Sequence, residues 1–211
     1  MTGLDRKQHW DNVYATKRET DVSWFEAEAS VSLSLIKSFS KTARDAVIDI
    51  GGGASRLAGG LLDAGYLDIT VLDLSQEALD ASKRRLGPRS NDITWVLADV
   101  TNWQPLRGYR IWHDRAAFHF LTAAADQAAY VACLKKALDP GGHAIIGTFA
   151  LNGPERCSGL PVVRYGPESL GQTLGDRFAL VDARALSHRT PAGQIQEFQF
   201  SVFKRRDSQP A

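Results

Sequence analysis

The chain has 211 residues, 44% of them hydrophobic, which is enough for one well-buried α/β domain and too few for two full domains. Its formal net charge of +1 gives no overall attraction to nucleic acid or to an acidic membrane surface. No apolar run is long enough to span a membrane, and the first residues lack the apolar core of a signal peptide, so we expect a cytoplasmic protein. The two cysteines lack metal-ligand spacing, so we expect no metal site.

Aromatic residues are dense ahead of the first predicted strand. Trp10 and Tyr14 lie in one segment and Trp24 lies in the next. An amphipathic helix follows, with apolar residues at helical spacing, namely Val31, Leu35, Ile36 and Phe39. The aromatic rings can either cover a ligand site or pack the helix against the edge of a sheet. We treat residues 1–40 as a separate N-terminal helical segment.

Residues 47–57 have the pattern of a short apolar strand, a glycine-rich turn and the start of a helix. The glycines at 51–53 let a ligand lie directly on the backbone, and the helix start offers it unpaired N–H groups. A dinucleotide site would have a third glycine where Arg56 stands, and Asp49 would repel a pyrophosphate. A carboxylate in that place suits an ammonium group instead.

Two further apolar strands each lead into a carboxylate. Residues 69–72 precede Asp73, at the distance from the glycine turn where doubly wound folds place an acid that accepts both ribose hydroxyls of an adenosine cofactor. Residues 93–98 precede Asp99. Ser75 is the predicted N-cap of the helix between them, which stops at a Gly-Pro pair. Since parallel strands end at one edge of a sheet, we expect these acids to share one cleft.

Residues 109–121 predict a fourth strand with a tip unusually rich in polar side chains. His113, Asp114, Arg115 and His119 are candidates to orient or deprotonate a reacting group. They also fit a structural interpretation, in which Asp114 pairs with Arg115 and His119 caps the next helix. The residues alone leave both interpretations open.

A fifth strand is predicted at residues 143–149, after a Pro-Gly-Gly turn, and a Gly/Pro-rich loop at 150–166 follows it. Loops of that length in compact domains are usually functional or disordered, so we expect this one, with Arg156 and Cys157, to border a substrate site. The remaining elements are a short helix and a closing hairpin, predicted at residues 167–174, 178–187 and 195–204.

These motifs resemble those of class I S-adenosylmethionine-dependent methyltransferases: the Asp-x-Gly-x-Gly turn, the strand-end acids and the Trp-x-Asp-Arg-x-Ala run at 112–117. The last run is similar to that of thiopurine-type and small lysine methyltransferases, and the His-Asp-Arg-x-x-Phe-His-Phe string is similar to one in small bacterial methyltransferases. One departure is Ser55, where a third glycine is common.

The resemblance implies an α/β fold with a doubly wound, seven-stranded, mostly parallel Rossmann-like sheet and an antiparallel C-terminal strand. Residues 1–40 would form an N-terminal helical lid, residues 41–205 the cofactor-binding domain and residues 206–211 a polar tail. The cofactor would be S-adenosyl-L-methionine and the product S-adenosyl-L-homocysteine. Asp49 would lie near the methionyl end, Asp99 would bind the adenine amino group, and the cofactor-binding residues would be Trp10, Tyr14, Trp24, Asp49, Gly51, Gly52, Gly53, Asp73, Leu74, Asp99 and Val100.

Methyl transfer requires alignment of nucleophile, methyl and sulfur more than it requires catalytic groups. We hypothesise that Asp114 or His119 orients or deprotonates the acceptor, and that Arg115 or Arg156 binds an acidic group on it. The predicted substrate-binding residues are His113, Phe118, Arg156 and Cys157.

The acceptor would be a small molecule or a protein side chain, that is, a thiol, an amine or a lysine, bound by a monomer or homodimer. A nucleic acid is not expected, because no basic groove is visible in the sequence. One alternative is a regulatory protein that binds S-adenosylmethionine without turnover. Another is an NAD(P)-dependent oxidoreductase, which would need glycine at position 56 and a Tyr-x-x-x-Lys pair.

Overall fold

The computed structural model describes the backbone of residues 3–207 and the side chains from residue 5 onward. Its helices are α1 (Gly3–Thr16), α2 (Ser30–Phe39), α3 (Leu57–Asp63), α4 (Gln76–Leu86), α5 (Ala124–Ala137) and α6 (Pro167–Leu174). Its strands are β1 (Val47–Ile50), β2 (Ile69–Asp73), β3 (Ile93–Leu97), β4 (Tyr109–Arg115), β5 (Leu138–Phe149), β6 (Arg156–Cys157), β7 (Leu160–Pro161), β8 (Phe178–Arg189) and β9 (Ile195–Arg205). Short 3-10 turns lie at Gly87–Asp92 and Phe118–Phe120.

Seven strands form one sheet in the order β3-β2-β1-β4-β5-β9-β8. The first five strands in the chain pair in parallel, and β9 runs antiparallel to both β5 and β8. Every residue of β1 and β2 is buried, as expected for parallel strands covered on both faces. The predicted doubly wound sheet with an antiparallel C-terminal strand is therefore confirmed.

Helices cover both faces of the sheet because the strands alternate apolar side chains between them. Ile48 and Trp112 pack with Tyr130 of α5 on one face. Val47 and Ile111 pack with residues of α2 and α3 on the other. The strand order reverses between β1 and β4, and at this point the carboxyl ends of the strands leave a cleft.

The predicted ends of α4 are confirmed. Ser75 is the N-cap, and its Oγ accepts a hydrogen bond from the Ala78 N–H at 3.2 Å. At the other end Gly87 has a φ of +59°, which is not a helical conformation, so the helix ends there. Glycine suits this position because other residues rarely adopt a positive φ. The cap and the strand-end acid Asp73 are two residues apart, so the start of α4 borders the cleft.

Strand β5 begins earlier than predicted. The Pro-Gly-Gly sequence lies within the strand as an irregularity, where the register with β4 shifts from Tyr109 opposite Leu138 to Ile111 opposite His143. Gly141 has a φ of +70°, so the glycines permit a bulge rather than a turn. The long loop that follows β5 contains the small β6–β7 hairpin.

Residues 1–40 divide into two parts. Helix α2 belongs to the core, since Leu35 and Ile36 are fully buried against the sheet. Helix α1 lies across the cleft, and among its residues 5–16 one apolar side chain, that of Val13, is well buried. The predicted tail at 206–211 lies mostly outside the described residues. In residues 3–207 no helix has both the length and the apolar character needed to cross a membrane.

Candidate active site

A cleft with about 780 Å³ of empty space, part of it open to solvent, lies at the carboxyl ends of β1 to β4. We call it the main cavity. Its floor comes from the residues that end these strands, and its cover comes from α1 and the following loop. The lining residues at the strand ends are Ile50, Gly51, Leu72, Asp73, Leu74, Ala98, Asp99, Val100, Arg115, Ala116 and Ala117.

Asp73 is held rigidly at the end of β2. Its Oδ2 accepts the Gly53 N–H at 2.9 Å and its Oδ1 accepts the Ser75 N–H at 2.8 Å. Burial outweighs these hydrogen bonds and raises the pKa of Asp73 to about 6. Each carboxylate oxygen retains a second lone pair, so Asp73 can accept two more hydrogen bonds from a ligand in the main cavity.

Asp99 follows β3 and is bridged to α1. Its Oδ1 accepts from the N–H and hydroxyl of Thr101, at 2.9 and 2.7 Å, and its Oδ2 accepts from Arg6 Nη2 at 2.9 Å. Burial opposes ionisation of this acid, but the hydrogen bonds from Thr101 and Arg6 prevail and lower its pKa. Arg6 Nη1 also donates to Asp126 Oδ2 of α5 at 2.6 Å.

The three predicted glycines have different roles. Gly51 has a φ of +66° and lines the cleft. A Cβ on Gly52 would lie 2.2 Å from Asp49 Oδ2, so glycine here makes room for that carboxylate. A Cβ on Gly53 would lie 2.5 Å from the Ala78 Cβ, which makes Gly53 a packing position between the turn and α4.

A second cavity, with about 580 Å³ of empty space, adjoins the main cavity. The two share wall residues, namely Tyr14, Trp24, Gly51 and Arg115. Asp49 and His113 line the second cavity, and Asp49 Oδ1 lies 2.7 Å from His113 Nδ1. Both side chains are almost completely buried. The second cavity is the more polar of the two, with Glu19, Glu26, Arg56 and Arg115 also on its walls.

Aromatic rings cover the junction of the two cavities. Trp10, Tyr14 and Trp24, all predicted from the sequence, line the main cavity together with Phe120. Trp10 packs edge-on against Phe120 at 4.9 Å between ring centroids, and Trp24 Nε1 donates to the Tyr14 hydroxyl at 3.3 Å. Burial raises the pKa of Tyr14, so its hydroxyl stays protonated.

The predicted acceptor residues are not all brought together. Arg115 reaches both cavities, Cys157 lines the main cavity and His113 lines the second. Arg156 is exposed and donates to the Gly159 carbonyl within the β6–β7 hairpin. Phe118 is buried in the core against Tyr130.

The structure places Asp114 away from both cavities. It is fully buried, and its carboxylate accepts hydrogen bonds from the N–H groups of Ala117 and Phe118 and from the Tyr130 hydroxyl, the last at 2.7 Å. Burial raises its pKa to about 6. The predicted ion pair with Arg115 is also not seen, because that guanidinium turns to Glu26 at 2.9 Å and to the Trp24 carbonyl.

His119 is likewise buried away from the cavity walls. Its Nδ1 is 3.4 Å from the Phe149 N–H, and its ring packs against Phe120 and Phe149. Burial, assisted by the nearby charge of Arg115, lowers the pKa of His119 to about 3. The ring is therefore neutral, and its position favours a packing role.

Some wall residues are absent from the sequence-based prediction. Arg6 stands four residues before Trp10 and eight before Tyr14, so all three fall on one face of α1. That spacing is a signal that could have identified Arg6. Glu26 has no comparable signal, because its role depends on Arg115 of a distant strand.

Comparison with known proteins agrees with this geometry. A protein-family model described as "Methyltransferase domain" matches residues 47–142. Nodulation protein S of Rhizobium tropici is 29% identical over 80 residues, which span 38% of this chain and one third of that relative's length.

Two solved structures show the same fold. N-methyltransferase NodS of Bradyrhizobium japonicum, in complex with S-adenosylhomocysteine, has a TM-score of 0.73 and 18% identity, over 95% of this chain and 98% of that one. The 1,6-didemethyltoxoflavin-N1-methyltransferase of Burkholderia thailandensis has a TM-score of 0.69 and 19% identity, over 97% and 85%.

Proposed function

We propose, from the premise that residues 47–142 form a methyltransferase domain of the class I fold, that this protein transfers a methyl group from S-adenosylmethionine to a thiol or amine acceptor. One observation carries the proposal. Asp73 and Asp99 lie on the walls of the same cavity as the Gly51 turn, at the point where the strand order reverses. Similar proteins whose structures contain S-adenosylhomocysteine support the choice of cofactor.

The residues at the cleft fit this cofactor. Asp73 would accept the ribose hydroxyls with its two remaining lone pairs, and Asp99 and Val100 would border the adenine. The methionyl end would extend past Gly51 into the second cavity, where Asp49 Oδ2 is buried and finds no partner among the described residues. When bound, the cofactor supplies an electrophilic methyl on a sulfonium.

The walls of the main cavity suit an acceptor that needs no protein base. Among the described residues, its ionisable side chains are Arg6, Tyr14, Asp73, Asp99, Arg115 and Cys157. The arginines cannot act as bases, and we assign the two acids to the nucleoside. Burial raises the pKa of Tyr14 and raises that of Cys157 to about 11, so both remain protonated. A neutral amine or a thiol supplies its own nucleophilic lone pair.

The aromatic cover has two effects on this reaction. Trp10, Trp24 and Phe120 exclude water from the reacting atoms, and they offer flat faces to an acceptor. In-line displacement depends on such positioning more than on acid or base groups. We propose Arg115, at the junction of the two cavities, as the group that recognises an anionic part of the acceptor.

The first test is calorimetric titration of the protein with S-adenosylmethionine, S-adenosylhomocysteine and NAD. We expect the first two to bind with micromolar affinity, and Asp73→Ala to lose both. Asp63→Ala is the matched control, because Asp63 is exposed and its ion pair is with Arg89 at 2.7 Å, far from the cavity walls. Binding of NAD alone, or of none of the three, would overturn the proposal.

Turnover requires a second test, since the alternative of a regulatory protein that binds the cofactor without reaction shares the same cavity. We expect methyl transfer in a screen of thiols, amines and lysine-containing proteins with labelled S-adenosylmethionine. Tight binding with no transfer to any acceptor would favour the regulatory alternative. We also propose a cytoplasmic monomer or homodimer that does not bind nucleic acid, which light scattering and a nucleic-acid binding assay would test.

A further inference from the structure

The Asp49–His113 pair carries two buried polar atoms without a hydrogen-bond partner among the described residues. The two residues stand opposite each other on the adjacent parallel strands β1 and β4, and the Asp49 Oδ1–His113 Nδ1 distance is 2.7 Å. The outward atoms, Asp49 Oδ2 and His113 Nε2, are buried and have no hydrogen-bond partner among the described residues. Buried polar atoms are normally paired, so two of them side by side point to a ligand.

The chemistry of the pair defines what that ligand presents. A carboxylate only accepts hydrogen bonds, so the proton between the two residues belongs to His113 Nδ1. In the neutral ring Nε2 then carries a lone pair. The pair therefore offers two acceptors, one of them charged, to a group that donates several hydrogen bonds.

The rest of the second cavity agrees with a cationic ligand. Its walls carry the carboxylates of Glu19, Glu26 and Asp49 and the guanidinium groups of Arg56 and Arg115. The two glutamates already have arginine partners. Glu26 pairs with Arg115 at 2.9 Å, and Glu19 pairs with Arg85 of α4 and with Arg56 at 3.5 Å. Asp49 is therefore the carboxylate on these walls that has no arginine partner among the described residues.

We propose that His113 is a specificity-determining residue, whose Nε2 accepts a hydrogen bond from the α-ammonium of the cofactor beside the carboxylate of Asp49. This inference rests on the proposed function. It assigns His113 to the methionyl end of the cofactor rather than to the acceptor. Because Gly51 lies on the walls of both cavities, one ligand can reach from the nucleoside site to this pair.

The test compares three ligands by calorimetry: S-adenosylhomocysteine, its desamino analogue, and methylthioadenosine, which lacks the whole amino-acid part. We expect His113→Phe to weaken S-adenosylhomocysteine binding by about tenfold, the effect of one hydrogen bond to a charged group. The other two ligands should change by less than about twofold, because they have no ammonium to lose. His143→Phe is the matched control, since His143 lies in β5 beside Phe39 and lines neither cavity.

A second variant separates direct contact from support of Asp49. His113→Asn keeps an N–H near the position of Nδ1 and has no acceptor at the position of Nε2. We expect it to weaken S-adenosylhomocysteine as His113→Phe does, while keeping the thermal stability of the parent protein.

The outcomes are distinguishable. Equal weakening of all three ligands in both variants would mean a structural role and overturn the inference. Equal affinity of the parent protein for S-adenosylhomocysteine and its desamino analogue would also overturn it, yet leave the proposed function intact. Failure of all three ligands to bind the parent protein would overturn the proposed function and the inference together.

Discussion

Three acids at the carboxyl ends of the parallel strands make the same local hydrogen bond but lie in different surroundings. Asp73, Asp99 and Asp114 each accept a backbone N–H from a residue two or three positions later, so each one fixes the turn after its strand. Asp73 and Asp99 also line the main cavity. Asp114 does not, and its remaining capacity goes to the Tyr130 hydroxyl. A carboxylate at a strand end is therefore a site residue only when its side chain borders the cavity and keeps a lone pair for a ligand.

Strand alternation makes a similar division within β4. His113 stands opposite Asp49 in the register of β4 and β1, and Asp114 stands opposite Ile50, whose side chain faces α5. Because successive side chains point to opposite faces, His113 faces the second cavity and Asp114 faces Tyr130. One step along the strand separates a group that meets a ligand from a group that supports the core.

Removing Asp114 should have the largest effect, and on stability. Asp114→Ala leaves two backbone N–H groups and the Tyr130 hydroxyl without an acceptor, and we expect it to reduce the free energy of unfolding by about 3 kcal/mol or more. Urea denaturation measures this loss. Asp114→Asn keeps one acceptor oxygen, so its loss should be closer to about 1 kcal/mol.

If Asp114 supports the fold and not the cofactor site, its replacement should lower stability without lowering cofactor affinity. Folded Asp114→Asn should bind S-adenosylhomocysteine as tightly as the parent protein does. A loss of affinity in that variant without a loss of stability would mean that Asp114 contributes to cofactor binding.

Neutralising Asp73 should give the next largest effect, and on binding. Asp73→Asn exchanges one acceptor oxygen for an amide, which cannot accept from a ribose hydroxyl. We expect about 100-fold weaker binding of S-adenosylhomocysteine, the effect of two weakened hydrogen bonds to a charged group. Calorimetry measures it, with Asp63→Asn as the control for removing one acid. A change of less than about threefold would mean that Asp73 serves only the turn.

The sequence predicts those features of the site that depend on residues close together in the chain. The glycine turn, the caps of α4, Asp73 and Asp99 depend on short spacings and on strand ends, and the structure places both acids on the cavity wall. The prediction failed at Asp114, because the arrangement of the sheet and its helices decides which side chains at a strand end border the cleft, and the sequence of one strand does not contain that arrangement. The contact between Asp49 and His113 is hidden for the same reason, since β1 and β4 are adjacent in the sheet and 64 positions separate the two residues.

The raised pKa of Asp73 predicts a pH dependence of binding. A carboxyl group with a pKa of about 6 loses its charge as the pH falls through that value, and the neutral form is the poorer ribose acceptor. We expect the affinity for S-adenosylhomocysteine to fall by about tenfold from pH 7 to pH 5. Asp73→Asn should show no such dependence, and circular dichroism at each pH checks that the fold persists.

Titration of Asp114 should change the pH dependence of the free energy of unfolding and leave that of binding unchanged. Its folded pKa of about 6 is above the unfolded value, so its contribution to stability is complete below about pH 4 and declines as the pH rises through 6. Asp114→Asn should remove that decline from the unfolding curve. A pH-dependent affinity that persists in Asp73→Asn but vanishes in Asp114→Asn would reverse the roles of the two acids.

Asp99 combines the two situations, because it lines the main cavity and also accepts a hydrogen bond from another side chain, that of Arg6. Replacing Arg6 should give the smallest of the expected effects. Arg6 takes one position on Asp99 Oδ2 and leaves the other lone pair of that oxygen available to an adenine amino group. Arg6→Ala removes this orienting donor and the link from α1 to α5 together, and we expect about fivefold weaker binding of S-adenosylhomocysteine. Asp126→Ala removes only the link to α5. If Arg6 acts by orienting Asp99, Asp126→Ala should change the affinity by less than about twofold. Equal losses in the two variants would mean that α1 acts as an anchored cover.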